Sequence, residues 1–150
     1  AGPLPFLRNA LTRFLEELPA PENGLGRTEQ AILTGIRAGA GNPSRLFQVV
    51  LEQEEAAFMG DLSFFRLIED LAFCAVPLIA GVAEPAAPAG FDDAHLELTM
   101  AGDSVLAGAE DHVTLSGIDR WWAGTHLDGR AVWRYDRGSR RLVAPNAGGG

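Results

Sequence analysis

Residues 60–82, GDLSFFRLIEDLAFCAVPLIAGV, carry a helix pattern that is followed closely by a strand pattern. Gly60 and Asp61 form a helix start signal, and apolar residues then recur at helical spacing, which predicts one buried stripe. The expected members of this stripe are Leu62, Phe65, Ile68, Leu71 and Ala72, with Phe64 at its border. The run Pro77–Val82 is short and apolar, so the whole stretch predicts a helix that leads into a strand.

Two further helix patterns precede this stretch. The first is expected to begin near Gly26, where Glu29 completes half of a capping box, and to end at the glycines of 39–41. The second is expected to begin at Asn42 and Pro43, a cap residue followed by a first-turn proline. The apolar residues of the two helices are Ala31, Ile32, Leu33 and Ile36 in the first and Leu46, Phe47, Val50 and Leu51 in the second.

A returning strand and a short helix follow the first strand. The alternation over His95–Thr99 predicts the strand, and Ala101–Ala107 predicts the helix, closed by Gly108. Three short helices followed by a hairpin are the order of a winged-helix domain, with the Pro- and Ala-rich loop Glu84–Gly90 as a mobile wing. We therefore expect an α+β fold with a winged-helix-like core at 22–108. Residues expected to be buried together in that core are Phe47, Ile68, Leu71, Leu98 and either Phe65 or Leu67.

Segments outside this core complete the predicted organisation. Residues 1–21 contain a leading amphipathic helix, which Pro19 and Pro21 end. Residues 109–145 form a C-terminal extension whose β-hairpin is expected over Ala131–Asp136 and Arg141–Val143. Residues 146–150 are expected to be a disordered tail.

Three stretches resemble a bacterial family: LPFLRNALTRFLEELP at 4–19, MGDLSFFRLIEDLA at 59–72, and SGIDRWWAGTHL at 116–127 followed by WRYD at 133–136. They resemble the C-terminal half of bacterial proteins that carry the domain of unknown function 1835. The block Leu98–Leu106 is also similar to the segment that leaves the wing in many bacterial winged-helix regulators. The resemblance implies an N-terminal domain as a partner of this module and implies no chemistry.

Length and composition limit the function classes. A chain of 150 residues with 47% hydrophobic residues is expected to form about one domain with its own core. No run approaches 18 apolar residues and no secretory signal pattern is present, so we expect no membrane partner. The lone Cys74 cannot form an internal disulfide, which agrees with a cytoplasmic location.

Charge is unevenly distributed along the chain. The net charge is -8, and all 12 basic residues are Arg. Between Asp128 and Arg141, five Arg oppose two Asp, so this strip carries +3 and the remainder carries -11. Charge complementarity predicts that the strip docks on its own acidic body.

Sequence patterns of enzymes and metal sites are lacking. The three histidines, His95, His112 and His126, show no recurring ligand spacing with each other or with Cys74, so we expect no metal or cofactor. The carboxylate pairs at 54–55 and 92–93 are adjacent in sequence and point apart. We therefore expect no catalytic residue and no enzyme activity.

The winged-helix prediction suggests an alternative function, that of a nucleic-acid-binding regulator. The candidate recognition helix, Asp61–Phe73, offers Ser63 and Arg66 but also three acidic residues, and the predicted wing has no basic residue. The other candidate contacts lie in the basic strip: Arg134, Arg137, Arg140 and Arg141. With few cations facing the phosphates, duplex DNA is not the expected partner.

The leading functional hypothesis, a protein-contact role, starts from two adjacent tryptophans. Trp121 and Trp122 cannot share one face of a regular element, so one is expected at a surface or interface. Aromatic residues often anchor protein contacts, and Asp119, Arg120 and Trp133 complete the predicted interaction site. We therefore expect a non-catalytic module that mediates protein or interdomain contacts within a larger bacterial protein.

Overall fold

The computed structural model describes residues 5–54, 60–82, 94–122 and 125–145, and their fold is α+β. This confirms the predicted class. The helices of the described part are α1 (Pro5–Leu15), α2 (Arg27–Arg37), α3 (Pro43–Glu52), α4 (Asp61–Phe73), α5 (Met100–Leu106) and α6 (His112–Ser116). The strands form three antiparallel hairpins: β1 (Ile79–Ala80) with β2 (Glu97–Leu98), β3 (Ile118–Trp122) with β4 (Thr125–Gly129), and β5 (Arg134–Asp136) with β6 (Arg141–Val143).

The chain divides into two compact units. Unit 1 combines Ala1–Arg27 with Asp111–Gly150, and unit 2 is the continuous segment Thr28–Glu110. Helix α1 therefore belongs to the same unit as α6 and the hairpins β3–β4 and β5–β6. In the sequence, these segments are separate extensions on either side of the predicted core.

Local capping signals set the helix starts in unit 2. The side chain of Asn42 accepts a hydrogen bond from the backbone N–H of Arg45 at 3.1 Å, and Pro43 occupies the first turn of α3, as predicted. The Thr99 hydroxyl accepts from the N–H of Gly102 at 3.0 Å and caps α5 in the same way. Each bond satisfies an N–H that has no partner inside the helix.

The core of unit 2 corrects the predicted phase of α4. Phe64, expected at the border of the stripe, is only 1% exposed, whereas Phe65 is half-buried. Phe47 and Leu98, expected in the core, are also half-buried. The reason is the helical phase: Phe64 stands at i, i+4, i+7 spacing with the fully buried Ile68 and Leu71, and its ring also contacts that of Phe47 at 4.9 Å. The other fully buried apolar residues of this unit are Ile32, Leu33, Leu46, Leu78, Ile79, Leu96 and Val105.

The hairpin of unit 2 is shorter than predicted. Strand β1 covers two residues instead of Pro77–Val82, and β2 covers two residues of His95–Thr99. Gly81 ends β1 because its φ of 102° turns the chain out of the strand, and a Cβ at this position would collide with the carbonyl oxygen of His95. The predicted wing, Glu84–Gly90, lies outside the described residues.

The core of unit 1 collects residues from both ends of the chain. The end of the α1 segment contributes Leu18, and Leu15 packs against the cluster. The remaining members of the core are Val113, Ile118, Leu127, Val132 and Tyr135. The β5–β6 hairpin confirms the predicted C-terminal hairpin, whereas β3–β4 was not predicted. The tail at 146–150 lies outside the described residues.

Candidate interaction surface

Helix α1 has an exposed apolar stripe. Leu7, Leu11 and Phe14 recur at i, i+4 and i+7 and are 45%, 55% and 36% exposed. The stripe continues into Leu15 and Leu18, which join the core of unit 1. One end of the apolar stripe is therefore anchored, while the other end presents large side chains at the spacing of helices that bind in a groove.

An ion pair joins α6 to the C-terminal hairpin. Arg134 donates two hydrogen bonds to Asp111, at 2.6 and 2.8 Å, and a third to the carbonyl oxygen of Ala20 at 3.0 Å. Asp111 also caps α6 by accepting from the backbone and the hydroxyl of Thr114. One arginine of the basic strip thus pairs with an acidic residue of its own unit, and this pair, 23 residues apart in sequence, fixes the position of β5.

This geometry sets the protonation of the pair. Burial alone would raise the pKa of Asp111, but the hydrogen bonds from Arg134 and Thr114 outweigh burial and lower that pKa below its usual value of 3.8. The hydrogen bond to Asp111 raises the pKa of Arg134 above its usual value. Both groups are therefore held in their charged forms.

Two more contacts hold the inner edge of the hairpin. The N–H of Tyr135 donates to the carbonyl oxygen of Pro19 at 3.0 Å, and Arg137 donates to the carbonyl oxygen of Leu25 at 3.1 Å. In the turn, Asp136 accepts from the N–H groups of Gly138 and Ser139. Hydrogen bonds from Ser139, followed by that from Gly138, lower the pKa of Asp136. The hairpin is thus fixed along β5 and closed by a bonded turn.

The β5–β6 hairpin and the residue before it expose apolar and basic side chains, with Leu142 on the face of Tyr135 and Val143 on the face of Arg134. Trp133 is 48% exposed, Leu142 51% and Val143 38%. Arg140 and Arg141 are exposed next to them. An open cleft of about 540 Å³ adjoins Val143 and is lined by residues that include Arg130 and Pro145. Trp133, one of the predicted interaction residues, therefore lies on an accessible surface.

The other predicted interaction residues lie on β3. Ile118 and Leu127 turn toward the core from one face of the β3–β4 hairpin. On the exposed face, the Oδ1 atom of Asp119 lies 2.5 Å from the Nε2 atom of His126. Arg120 is half-buried opposite Leu127. In the register, Trp121 pairs with His126 and Trp122 with Thr125, and the side chains of both tryptophans lie outside the described part.

The candidate nucleic-acid contacts are divided between the two units. Ser63 and Arg66 are exposed on α4 in unit 2. Arg134 and Arg137 in unit 1 are engaged in the contacts above, while Arg140 and Arg141 are exposed in the same unit. The structure therefore does not gather these six residues within one unit.

The groups considered for catalysis or metal binding are also dispersed. His112 is 7% exposed in unit 1, and His95 is exposed in unit 2, 3.8 Å from Glu97. The thiol of Cys74 donates to the carbonyl oxygens of Leu71 and Val76. Within the described ranges, no group of three His, Cys, Asp or Glu side chains is placed to hold a metal ion.

Sequence reasoning missed the two features that shape this surface. The exposure of the α1 stripe has no sequence signal, because an amphipathic pattern predicts a buried face whatever covers it. The role of Asp111 has a signal, since Asp111 and Thr114 stand at the spacing of a helix cap and its N3 residue. Sequence reasoning also missed the hairpin β3–β4, whose ends carry glycines: Gly117 precedes β3 and Gly129 is the last residue of β4, both with positive φ.

Comparisons with known proteins give no family assignment. No family model matches the chain, and neither a curated protein nor a solved structure matches it. Among the helices that the structure describes, none combines the length and the apolar character needed to span a bilayer. The resemblance to the family with the domain of unknown function 1835 stays a prediction.

Proposed function

We propose that this chain is a non-catalytic, winged-helix-like module that binds a protein partner or a neighbouring domain through unit 1. One observation carries the proposal. Of the eight large apolar side chains that are exposed in the described part, six belong to unit 1. Three of the six, Leu7, Leu11 and Phe14, form the exposed stripe of α1, and an exposed apolar patch is typical of a protein contact.

Unit 2 supports the winged-helix-like part of the proposal. Its order is α2, α3 and α4, then the hairpin β1–β2, then α5. The Gly102 backbone of α5 lies against the carbonyl oxygen of Leu78, so the helix packs closely on the chain leading into β1. This is the element order expected for three helices and a wing.

Charge favours a protein partner over nucleic acid. Unit 2 contains three Arg and thirteen acidic residues, a net charge of -10, whereas unit 1 contains nine Arg and seven acidic residues, a net charge of +2. Only Arg66 gives α4 a positive charge. A recognition helix and wing in such an acidic unit would repel phosphates. The apolar side chains on the more basic unit instead fit a partner with apolar and acidic groups.

The test compares exposed apolar residues of the two units. Leu11→Ser and Trp133→Ser change unit 1, and Met100→Ser, at a side chain that is 90% exposed, is the matched control in unit 2. A partner is isolated from native extract by cross-linking, purified, and titrated with each variant. We expect both unit 1 variants to weaken binding by about tenfold, or 1.4 kcal/mol, and the control to bind like wild type. Equal binding by all variants would reject the α1 stripe and Trp133 as the contact and would remove the observation that carries the proposal.

Duplex DNA provides the second arm of the test. Labelled random and genomic duplexes are titrated at about 50 and 200 mM salt, where binding through phosphates weakens strongly. We expect weak, salt-sensitive and sequence-independent binding. A salt-resistant, sequence-selective complex that Arg66→Ala abolishes would favour the regulator and overturn the proposal.

A further inference from the structure

We propose that the outer edge of β6 binds an extended peptide strand with apolar residues followed by acidic ones. This inference rests on the proposed function, because it names the partner chemistry for one part of unit 1. It is carried by the backbone geometry of Leu142 together with the charges of Arg140 and Arg141.

The backbone of Leu142 points away from β5. The register pairs Tyr135 with Leu142, and the N–H of Tyr135 donates to Pro19 on the far side of β5. In an antiparallel ladder, directly opposed residues either exchange both hydrogen bonds or exchange none. Tyr135 and Leu142 are thus a pair without mutual hydrogen bonds, and the N–H and C=O of Leu142 face outward.

No described residue pairs with this edge. The β5–β6 sheet has two strands, and all three residues of β6 are exposed. Within the described ranges, no backbone hydrogen bond from outside the hairpin reaches Leu142. An unpaired edge with exposed N–H and C=O groups is a template for an added strand.

The side chains along this edge determine which residue types the added strand should contain. Leu142 is 51% and Val143 38% exposed. Arg140 and Arg141 form no ion pair with any residue of the described part. An antiparallel peptide therefore places apolar residues opposite Val143 and Leu142 and an acidic residue opposite Arg141. Arg140 stands next to the strand, in the turn with a φ of 56°, where a second acidic residue of the peptide would follow. Read from its amino terminus, the peptide has the order apolar, apolar, acidic, acidic.

The same features argue against a second copy of this chain as the strand that pairs with the β6 edge. Antiparallel pairing of two β6 edges at Leu142 would set Arg141 opposite Val143 at each end, with no acidic residue of either strand beside the arginines. An acidic partner strand neutralises the two arginines and covers the apolar side chains at the same time.

The direct test is fluorescence anisotropy with the whole chain and a labelled ten-residue peptide that contains Val-Ile-Glu-Glu. Two matched peptides are controls: one carries Val-Ile-Lys-Lys, and the other has an N-methyl group on the Ile that faces Leu142. We expect the Glu-containing peptide to bind about tenfold more tightly than either control, and more weakly as salt rises. Equal binding of the N-methylated peptide would overturn strand pairing.

Protein variants test the same contacts from the other side. Leu142→Pro removes the outward N–H while leaving the bonds to β5, a position where an edge strand tolerates proline, and Leu142→Thr is the control that keeps the N–H. The double variant Arg140→Glu, Arg141→Glu should prefer the Lys-containing peptide, whereas Arg66→Glu in unit 2 should bind like wild type. Circular dichroism verifies folding of each variant. Unchanged preference in the double variant would overturn the charge assignment.

The outcome is separable from that of the proposed function. If the purified partner binds through Leu11 and Trp133 but no acidic peptide binds, only the β6 inference fails. If the peptide binds and the partner experiment shows no dependence on unit 1, the proposed module function fails while the edge site stands.

Discussion

Units 1 and 2 each bury an apolar core, but they differ in net charge and in the number of large apolar side chains that they expose. Unit 2 is one continuous segment with a net charge of -10, and two of its described large apolar side chains, Phe73 and Met100, are exposed. Unit 1 joins the two ends of the chain, carries +2, and exposes six such side chains. The net charge of the whole chain conceals this difference. A charged partner is therefore attracted or repelled by the charge of the unit that it contacts, not by the net charge of the chain.

The largest expected effect is in the core of unit 2. Phe64→Ala removes a ring that is 1% exposed and should cost about 3–5 kcal/mol of unfolding free energy. Phe73→Ala, on the same helix but 43% exposed, is the control and should change stability little. Urea unfolding measures the cost, and hydrogen exchange shows whether the loss of protection stays within unit 2. Similar costs for both variants would contradict the corrected phase of α4.

The second effect is in unit 1. Asp111→Ala removes the cap of α6 and two hydrogen bonds to Arg134, whose side chain is 18% exposed, so we expect a loss of about 2–3 kcal/mol. Asp128→Ala removes an exposed carboxylate of the same unit that stands opposite Asp119, and it should be close to neutral. Loss of protection in unit 2 alone would show that the pair does not stabilise unit 1.

A smaller effect on stability, opposite in sign to the usual one for this substitution, is expected for Gly102→Ala in unit 2. Replacing Gly by Ala inside a helix normally stabilises it. A Cβ at Gly102, however, would collide with the carbonyl oxygen of Leu78, so Gly102→Ala should destabilise unit 2 by about 1–3 kcal/mol. Ser104→Ala on the same helix is the control. Thermal unfolding measures the stability of both variants. A stabilised Gly102→Ala variant would mean that α5 does not pack closely on Leu78.

Acid should weaken unit 1 through Asp111. Because the folded-state pKa of Asp111 is lowered from 3.8, the unfolded chain takes up the proton first as the pH falls. The stabilisation is therefore complete above pH 3.8 and is lost as the pH falls through the folded-state pKa. Asp111→Asn should flatten this part of the pH profile of unit 1 protection in hydrogen exchange. An identical profile for wild type and variant would remove Asp111 as the titrating group.

Local signals predicted much of the secondary structure. Asn42 and Pro43 set the start of α3, and Thr99 caps α5, because cap hydrogen bonds reach only two or three residues along the chain. The predicted strand Arg141–Val143 is found as β6. For the candidate surface, sequence patterns predicted Trp133 and the basic strip, because a large aromatic residue and a cluster of charges can be recognised from the sequence alone.

Only tertiary structure decided the rest. Phe64 and Phe65 have equal hydrophobicity and adjacent positions, and the ring of Phe47 lies near both, so the packing of the core of unit 2 determines which one is buried. The partner of Arg134 lies 23 residues away, and the N–H that reveals the open edge of β6 bonds to Pro19 near the other end of the chain. The sequence by itself determined which residues favour helix, strand, cap or charge cluster, since these preferences act locally. Which side chains became buried, paired or exposed depended on segments distant in sequence, since their approach is fixed only when the core packs.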